Sequence, residues 1–198
     1  MIRKALFAAL LPLAACGQAP AQDETPPNRS AGDLLPTPAE MPGPSDGVFP
    51  SMLRMGGEIV GEDGSVIGRL NILDGPNGLL LEAVIEPGGL APGWHGLHLH
   101  QVGDCSDTGV FKLSGGHVGK VEDGHGLLNP AGPEGGDLPN IWAAADGSAG
   151  YEAFSTLTTG ADLADQDGAA LIIHENRDDH MTQPIGGAGA RVACAIIK

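Results

Sequence analysis

Residues 93–100 read Gly93-Trp94-His95-Gly96-Leu97-His98-Leu99-His100, and their alternation is that of a strand with one oily face. Side chains two apart in a strand point the same way. Leu97 and Leu99 therefore share a face with His95, while His98 and His100 share the other. Two imidazoles spaced this way can hold one metal ion together. His95, on the apolar side, reads as a hydrogen-bonded structural histidine.

Outward from this stretch the short period recurs. Before it lie candidate strands at 53–60, 66–73 and 79–86, separated by the turn signals Asp63-Gly64 and Asp74-Gly75-Pro76-Asn77-Gly78. After it come 140–145, 151–157, 170–174 and 190–197. With 93–101 this makes eight strands and no helical stripe, the pattern of an all-β sandwich or barrel. Composition agrees: 32 glycines in 198 residues is about twice the usual share of roughly 7%, which favours turns over long helices. Collagen is excluded, because the glycines have no three-residue period. Two connections, 102–139 and 175–189, are too long for a minimal sandwich, and irregular loops of that length are usually functional. All seven histidines fall between His95 and His180, where strands and these loops meet.

The N-terminus reads differently. Met1-Ile2-Arg3-Lys4 is a basic start, and the apolar run 5–13 is too short for a membrane helix but suits the core of an export signal. It ends in Leu13-Ala14-Ala15-Cys16-Gly17, which resembles a bacterial lipobox. That resemblance implies a signal peptide over 1–15, cleavage before Cys16, lipidation of Cys16, and a periplasmic protein held to a bacterial membrane by its acyl chains. Residues 16–47, rich in Pro and Ala without hydrophobic period, read as a disordered tether. The folded domain is then 48–198.

The chain carries a formal charge of −15. Without Arg3 and Lys4 the mature form keeps eight bases against 25 acids, about −17. Such a balance excludes nucleic acid as a partner, since phosphate binding needs a cationic face.

The segments Trp94 to His100 with Gly103-Asp104-Cys105, Gly115-Gly116-His117, Gly136-Asp137-Leu138-Pro139-Asn140, Ile173-His174-Glu175 with Asp178-Asp179, and Gly187 to Cys194 together resemble the copper/zinc superoxide dismutase family in its exported bacterial form. The resemblance spans essentially all of 48–198. It implies a flattened eight-stranded Greek-key barrel with two long functional loops, and dismutation of superoxide to oxygen and hydrogen peroxide with copper and zinc as cofactors. Copper is assigned to His98, His100, His117 and His174. His117 matches the family's bridging histidine, which also serves zinc together with His125, position 134 and Asp137.

Position 134 departs from the family: it is Glu134 where the pattern has histidine. Three readings follow. Glu134 is an oxygen ligand, which zinc accepts; or it is a plain loop carboxylate beside a weakened site; or the second site is empty and the enzyme uses copper alone. Two anionic ligands would also bind zinc more firmly and make the bridge less electrophilic.

The resemblance further implies that Asp178 accepts hydrogen bonds from His98 and His125, and that Cys105 and Cys194 form a disulfide, at home in an exported protein. It implies that Arg191 attracts the superoxide anion. Arg177 reads either as an additional steering charge or as an ordinary surface arginine, and His180 has no assigned role. In the implied cycle, copper passes between Cu(II) and Cu(I) while His117 is released, protonated, and then gives its proton to the second superoxide. Two rival functions stand beside this: a non-catalytic copper-binding or copper-delivery lipoprotein on the same fold, and a structural envelope sandwich that would have no use for histidines in metal register. Monomer and homodimer both stay open.

Overall fold

The structure is a computed structural model that describes residues 53–198. The expected signal peptide 1–15, the lipidation site Cys16, the tether 16–47 and the first residues of the domain, 48–52, lie outside the described residues.

Nine strands occur among the described residues: β1 (Leu53–Gly61), β2 (Val66–Gly75), β3 (Gly78–Ile85), β4 (Gly93–His95), β5 (Leu97–His100), β6 (Ile141–Ala143), β7 (Ala149–Ser155), β8 (Ala169–His174) and β9 (Arg191–Ile197). All pairings are antiparallel. Seven strands form one curled sheet in the order β5-β8-β9-β1-β2-β3-β7, and β4 pairs with β6 in a separate ribbon. Where the sequence predicts one strand over 93–101, the structure breaks it at Gly96. There the backbone N–H donates to the Asn176 carbonyl at 2.8 Å, and the carbonyl accepts from His174 N at 2.9 Å. A Cβ at this position would stand only 2.9 Å from the Ala188 Cβ, so the chain can cross here only as glycine.

This crossing closes the barrel. β4 runs into β5, which heads the large sheet, and β6 turns directly into β7, where Ala144 N donates to Ser148 O at 2.8 Å. Around the barrel the order becomes β1, β2, β3, β7, β6, β4 with β5, β8, β9: eight staves, with the β3–β4 connection passing over β7 and β6 in Greek-key fashion. A one-turn helix, α1 (Gly160–Leu163), is capped by Thr159 and Asp162 in a reciprocal box. Four residues are too few to show a helical period, which is why no stripe announces it.

Alternation sets the core. β3 alternates half-buried and buried along its length, with Leu79, Leu81, Ala83 and Ile85 packing inward beside Leu97, Leu99, Leu171 and Ile173. β8 is buried on both faces. Its outer residues Ala170 and Ile172 pack with Phe111, Cys105 and Cys194 in a second cluster, covered by the loop that follows β5. A disulfide joins Cys105 to Cys194 across a sequence separation of 89, fastening that loop to β9.

Candidate metal centre

The outer face of β5 and β8 carries the first group of histidines. Register pairs His98 with Ile172 and His100 with Ala170, while Leu97 and Leu99 oppose Ile173 and Leu171 on the core side. The alternation read from the sequence therefore puts His98 and His100 together. His174 joins them from the end of β8, just past an irregularity in its pairing with β9. One donor atom from each of His98, His100 and His174 lies within 4.8 Å of the others. The His117 ring stands against this trio, its centroid 4.3 Å from that of His98 and 5.1 Å from that of His100. His95 faces the other way with both ring nitrogens on carbonyl oxygens, His174 O at 2.8 Å and Ala91 O at 2.7 Å, so neither is free to ligate.

One nitrogen of each of the four outer rings is tied to protein. His98 Nε2 meets Asp178 Oδ2 at 2.7 Å, His100 Nδ1 meets Gly115 O at 2.9 Å, His117 Nδ1 meets Glu134 Oε2 at 2.7 Å and His174 Nδ1 meets Gly189 O at 3.2 Å. The other nitrogens, His98 Nδ1 and Nε2 of His100, His117 and His174, are buried without a hydrogen-bond partner. An unpartnered buried polar atom costs about 1–3 kcal/mol, so four together on adjacent rings are a donor set built for an electrophile. Neutral imidazoles of this kind suit copper.

Electrostatics keeps the three strand-borne rings neutral. Burial pushes His98 down to about 4 against the opposing pull of Asp178, and His174 down to about 3. Burial and then the nearby Arg191 charge hold His100 well below its ordinary value. A protonated ring cannot bind a metal, so the same desolvation that excludes water keeps the lone pairs available.

The second group comes from the long loop between β5 and β6. Donor atoms of His117, His125, Glu134 and Asp137, all buried, lie within 4.8 Å of one another. His125 Nδ1 meets Asp137 Oδ1 at 2.8 Å, and Asp137 Oδ2 accepts from the backbone N–H of Gly126 and Glu134 at 2.7 and 2.9 Å. Glu134 is not a solvated loop acid: it is 3% exposed, with Oε1 fixed by Val121 N at 3.1 Å. Burial works to lower the His125 pKa, but hydrogen bonds to Asp137 and Asp178 overcome it and raise it to about 9. Those donors hold both aspartates below the usual carboxylate range although burial alone would raise them. Two nitrogens and two carboxylates form a mixed set that zinc accepts.

Asp178 lies between the groups, its Oδ2 on His98 Nε2 and its Oδ1 3.3 Å from His125 Nε2. Arg191, directly across from His174 in the β8–β9 pairing, is anchored by Nη1 to Phe111 O at 2.7 Å and Ser114 Oγ at 2.9 Å, and by Nη2 to Gly115 O at 2.8 Å. Gly115 O thus holds both Arg191 and His100. Arg177 lies elsewhere, its guanidinium 5.7 Å above the Trp94 ring, where Trp94 and Trp142 meet edge to face on the β4–β6 ribbon.

Sequence reasoning gave no part to Ser114, Asn140 or His180. Asn140 grips the Asp178 backbone from both sides, Asp178 N donating to its Oδ1 and its Nδ2 donating to Asp178 O, each at 2.9 Å. Its place directly after Asp137-Leu138-Pro139 was the only available signal.

Comparison with known proteins agrees with this geometry. Residues 66–197 match the family model for copper/zinc superoxide dismutase. A superoxide dismutase [Cu-Zn] of Caulobacter vibrioides is 50% identical over 143 residues, covering 69% of this chain and 80% of its own. Another, from Aquifex aeolicus, is 35% identical over 156 residues, covering 76% of this chain and 90% of its own. Among solved structures, a double mutant of a superoxide dismutase-like protein from Bacillus subtilis superposes with a TM-score of 0.64 at 34% identity, covering 72% of this chain and 95% of its own.

Proposed function

The chain belongs to the copper/zinc superoxide dismutase family, an enzyme that dismutates superoxide with copper and zinc, and from that premise we propose how its own residues divide the work. Copper would be held by His98 through Nδ1 and by His100, His117 and His174 through Nε2. Zinc would be held by Nδ1 of His117 and His125 and by the carboxylates of Glu134 and Asp137. The four unpartnered imidazole nitrogens carry this reading.

Copper, when bound, supplies the one-electron exchange, oxidising one superoxide to dioxygen and reducing the next to peroxide. The protein supplies position, a proton and guidance. His117 faces the copper trio with Nε2 and the carboxylates with Nδ1, so when Nε2 is not holding the metal it can carry a proton there and give it to the second substrate. Without metal, Glu134 fixes the ring from behind through Nδ1; with zinc bound, the shared metal would do so. The barrel domain has seven basic and twenty acidic residues, a net −13, so the global field repels an anion. Attraction falls to Arg191, whose charge is anchored beside His100 and survives burial because a guanidinium starts so high.

Replacing Arg191 with alanine should lower kcat/KM about tenfold at low ionic strength and flatten its salt dependence, with copper content unchanged. Kinetics and salt response equal to wild type would remove Arg191 from this role. Export by residues 1–15, lipidation at Cys16 and a tether over 16–47 complete the reading, supported by the basic start, apolar run and lipobox-like Leu13-Ala14-Ala15-Cys16. Cys16→Ser protein that still fractionates with membranes would count against the anchor.

A further inference from the structure

Asp178 meets a third imidazole besides those of His98 and His125. We propose that His180 is a positioning residue for both metal sites: its ring N–H, aimed by Asn140, steadies the Asp178 carboxylate that orients His98 and His125. The inference rests on the ligand assignment above.

The proton position follows from hydrogen-bond bookkeeping. Asp178 N donates to Asn140 Oδ1, which fixes the orientation of the Asn140 amide. Its Nδ2 then reaches Asp178 O and, at 3.0 Å, His180 Nε2. An amide NH₂ can only donate, so His180 Nε2 accepts and carries no hydrogen. The neutral ring must therefore carry its proton on Nδ1. That atom is buried and makes no hydrogen bond, but it stands 3.5 Å from Asp178 Oδ2, near enough for the N–H dipole to act on the carboxylate.

The His180 backbone works on the same carboxylate. Its N–H donates to Asp178 Oδ1 at 2.6 Å, and its carbonyl accepts from Leu128 N at 3.2 Å, tying this loop to the one that carries His125. The tight geometry holds His180 at φ 61°, a region that glycine and asparagine occupy most readily. A histidine kept there, with its ring turned inward to 15% exposure, has a local cost that a contact must repay. Both Asp178 oxygens are then flanked: Oδ1 by His125 and the His180 backbone, Oδ2 by His98 and the His180 ring. Without the ring, Oδ2 keeps only His98, and the carboxylate is freer to rotate away from the plane that serves both ligands.

The test uses the fully metallated enzyme and two variants that both suit the backbone. His180→Gly removes the ring; His180→Asn keeps an N–H donor near the Nδ1 position. Supporting-ligand contacts of this kind commonly change metal affinity 10- to 100-fold. The expected result is zinc transfer to a chelator about tenfold faster for His180→Gly, with a shifted copper electron paramagnetic resonance spectrum, while His180→Asn stays within about threefold of wild type and keeps its spectrum. Wild-type zinc release and spectrum in His180→Gly would overturn the inference, as would equal damage in both variants, which would mean that bulk and not the donor matters. A wild-type chain that binds no zinc would overturn the ligand assignment first and this inference with it.

Discussion

The two proposed metal sites sit side by side and would share His117, yet they are built in different ways. The proposed copper trio hangs on strands: His98 and His100 on β5 and His174 at the end of β8 inherit their positions from the barrel register and the apolar contacts beneath. The proposed zinc set comes from the β5–β6 loop, which touches β5 through the His100–His117 and His98–Asp137 bridges and otherwise depends on hydrogen bonds to Asp137, Asp178 and Glu134 and on a disulfide at its root. A site on strands is preorganised by the fold, while a site on a loop must be held by its own network.

Given that difference, losing a strand-borne histidine should be local and severe. His174→Ala should lower dismutase activity by more than a thousandfold and copper content to near zero, while unfolding temperature and zinc content stay close to wild type. Parallel loss of zinc would show that the two sites do not form independently.

Opening the disulfide should act on the loop side. Cys105→Ala together with Cys194→Ala releases a loop closed across 89 residues of sequence, worth roughly 4.6 kcal/mol by the loop-entropy estimate. Denaturant unfolding should show that loss. Limited proteolysis should cut first in residues 102–115, which also anchor Arg191. A variant that is cut first in the strands would break the comparison.

Glu134→Ala is a smaller perturbation of the same region. It would remove one proposed zinc ligand, which without metal is the partner of His117 Nδ1, and zinc affinity should fall about 10- to 100-fold with copper content kept. Unchanged zinc affinity would return Glu134 to the status of a loop carboxylate.

The same division governs what could be read from the chain alone. Period two is enough to place His98 and His100 on one face, because a strand's side chains alternate whatever the surroundings. Residue types also sufficed to set His95 apart, since it falls on the face of Leu97 and Leu99. No period connects His117, His125, Glu134 and Asp137, and only the resemblance to a family brought them together. His180 was invisible even so: its part depends on a left-handed backbone and on which way the Asn140 amide points, neither of which leaves a mark in sequence. The split of 93–101 at Gly96 was missed for a similar reason, as the crowding that demands glycine comes from Ala188 and Asp178, far along the chain.

The last difference is one of sign. In the metal-free protein the copper-side histidines are favoured in their neutral form, with His98 and His174 lowered to about 4 and about 3 and His100 also well below 6.5. Their contribution to stability is complete above pH 6.5, the unfolded value, and is lost as pH falls from there toward 3, because the unfolded chain takes up protons that the folded one refuses. His125 on the loop side is raised to about 9 by Asp137 and Asp178 against its burial. Its contribution is complete below pH 6.5 and is lost as pH rises through 9. Asp137 and Asp178, both lowered, add to the acid loss only below about pH 4. Thermal unfolding of the metal-free protein should therefore peak near pH 6.5. The acid limb should be steeper, at about 1.4 kcal/mol per pH unit for each neutral buried histidine, because three groups oppose one. A stability that rises steadily from pH 4 to 9 would show that His125 is not held by its carboxylates, and one that is flat below pH 6.5 would show that the strand-borne imidazoles are wetter than their burial implies.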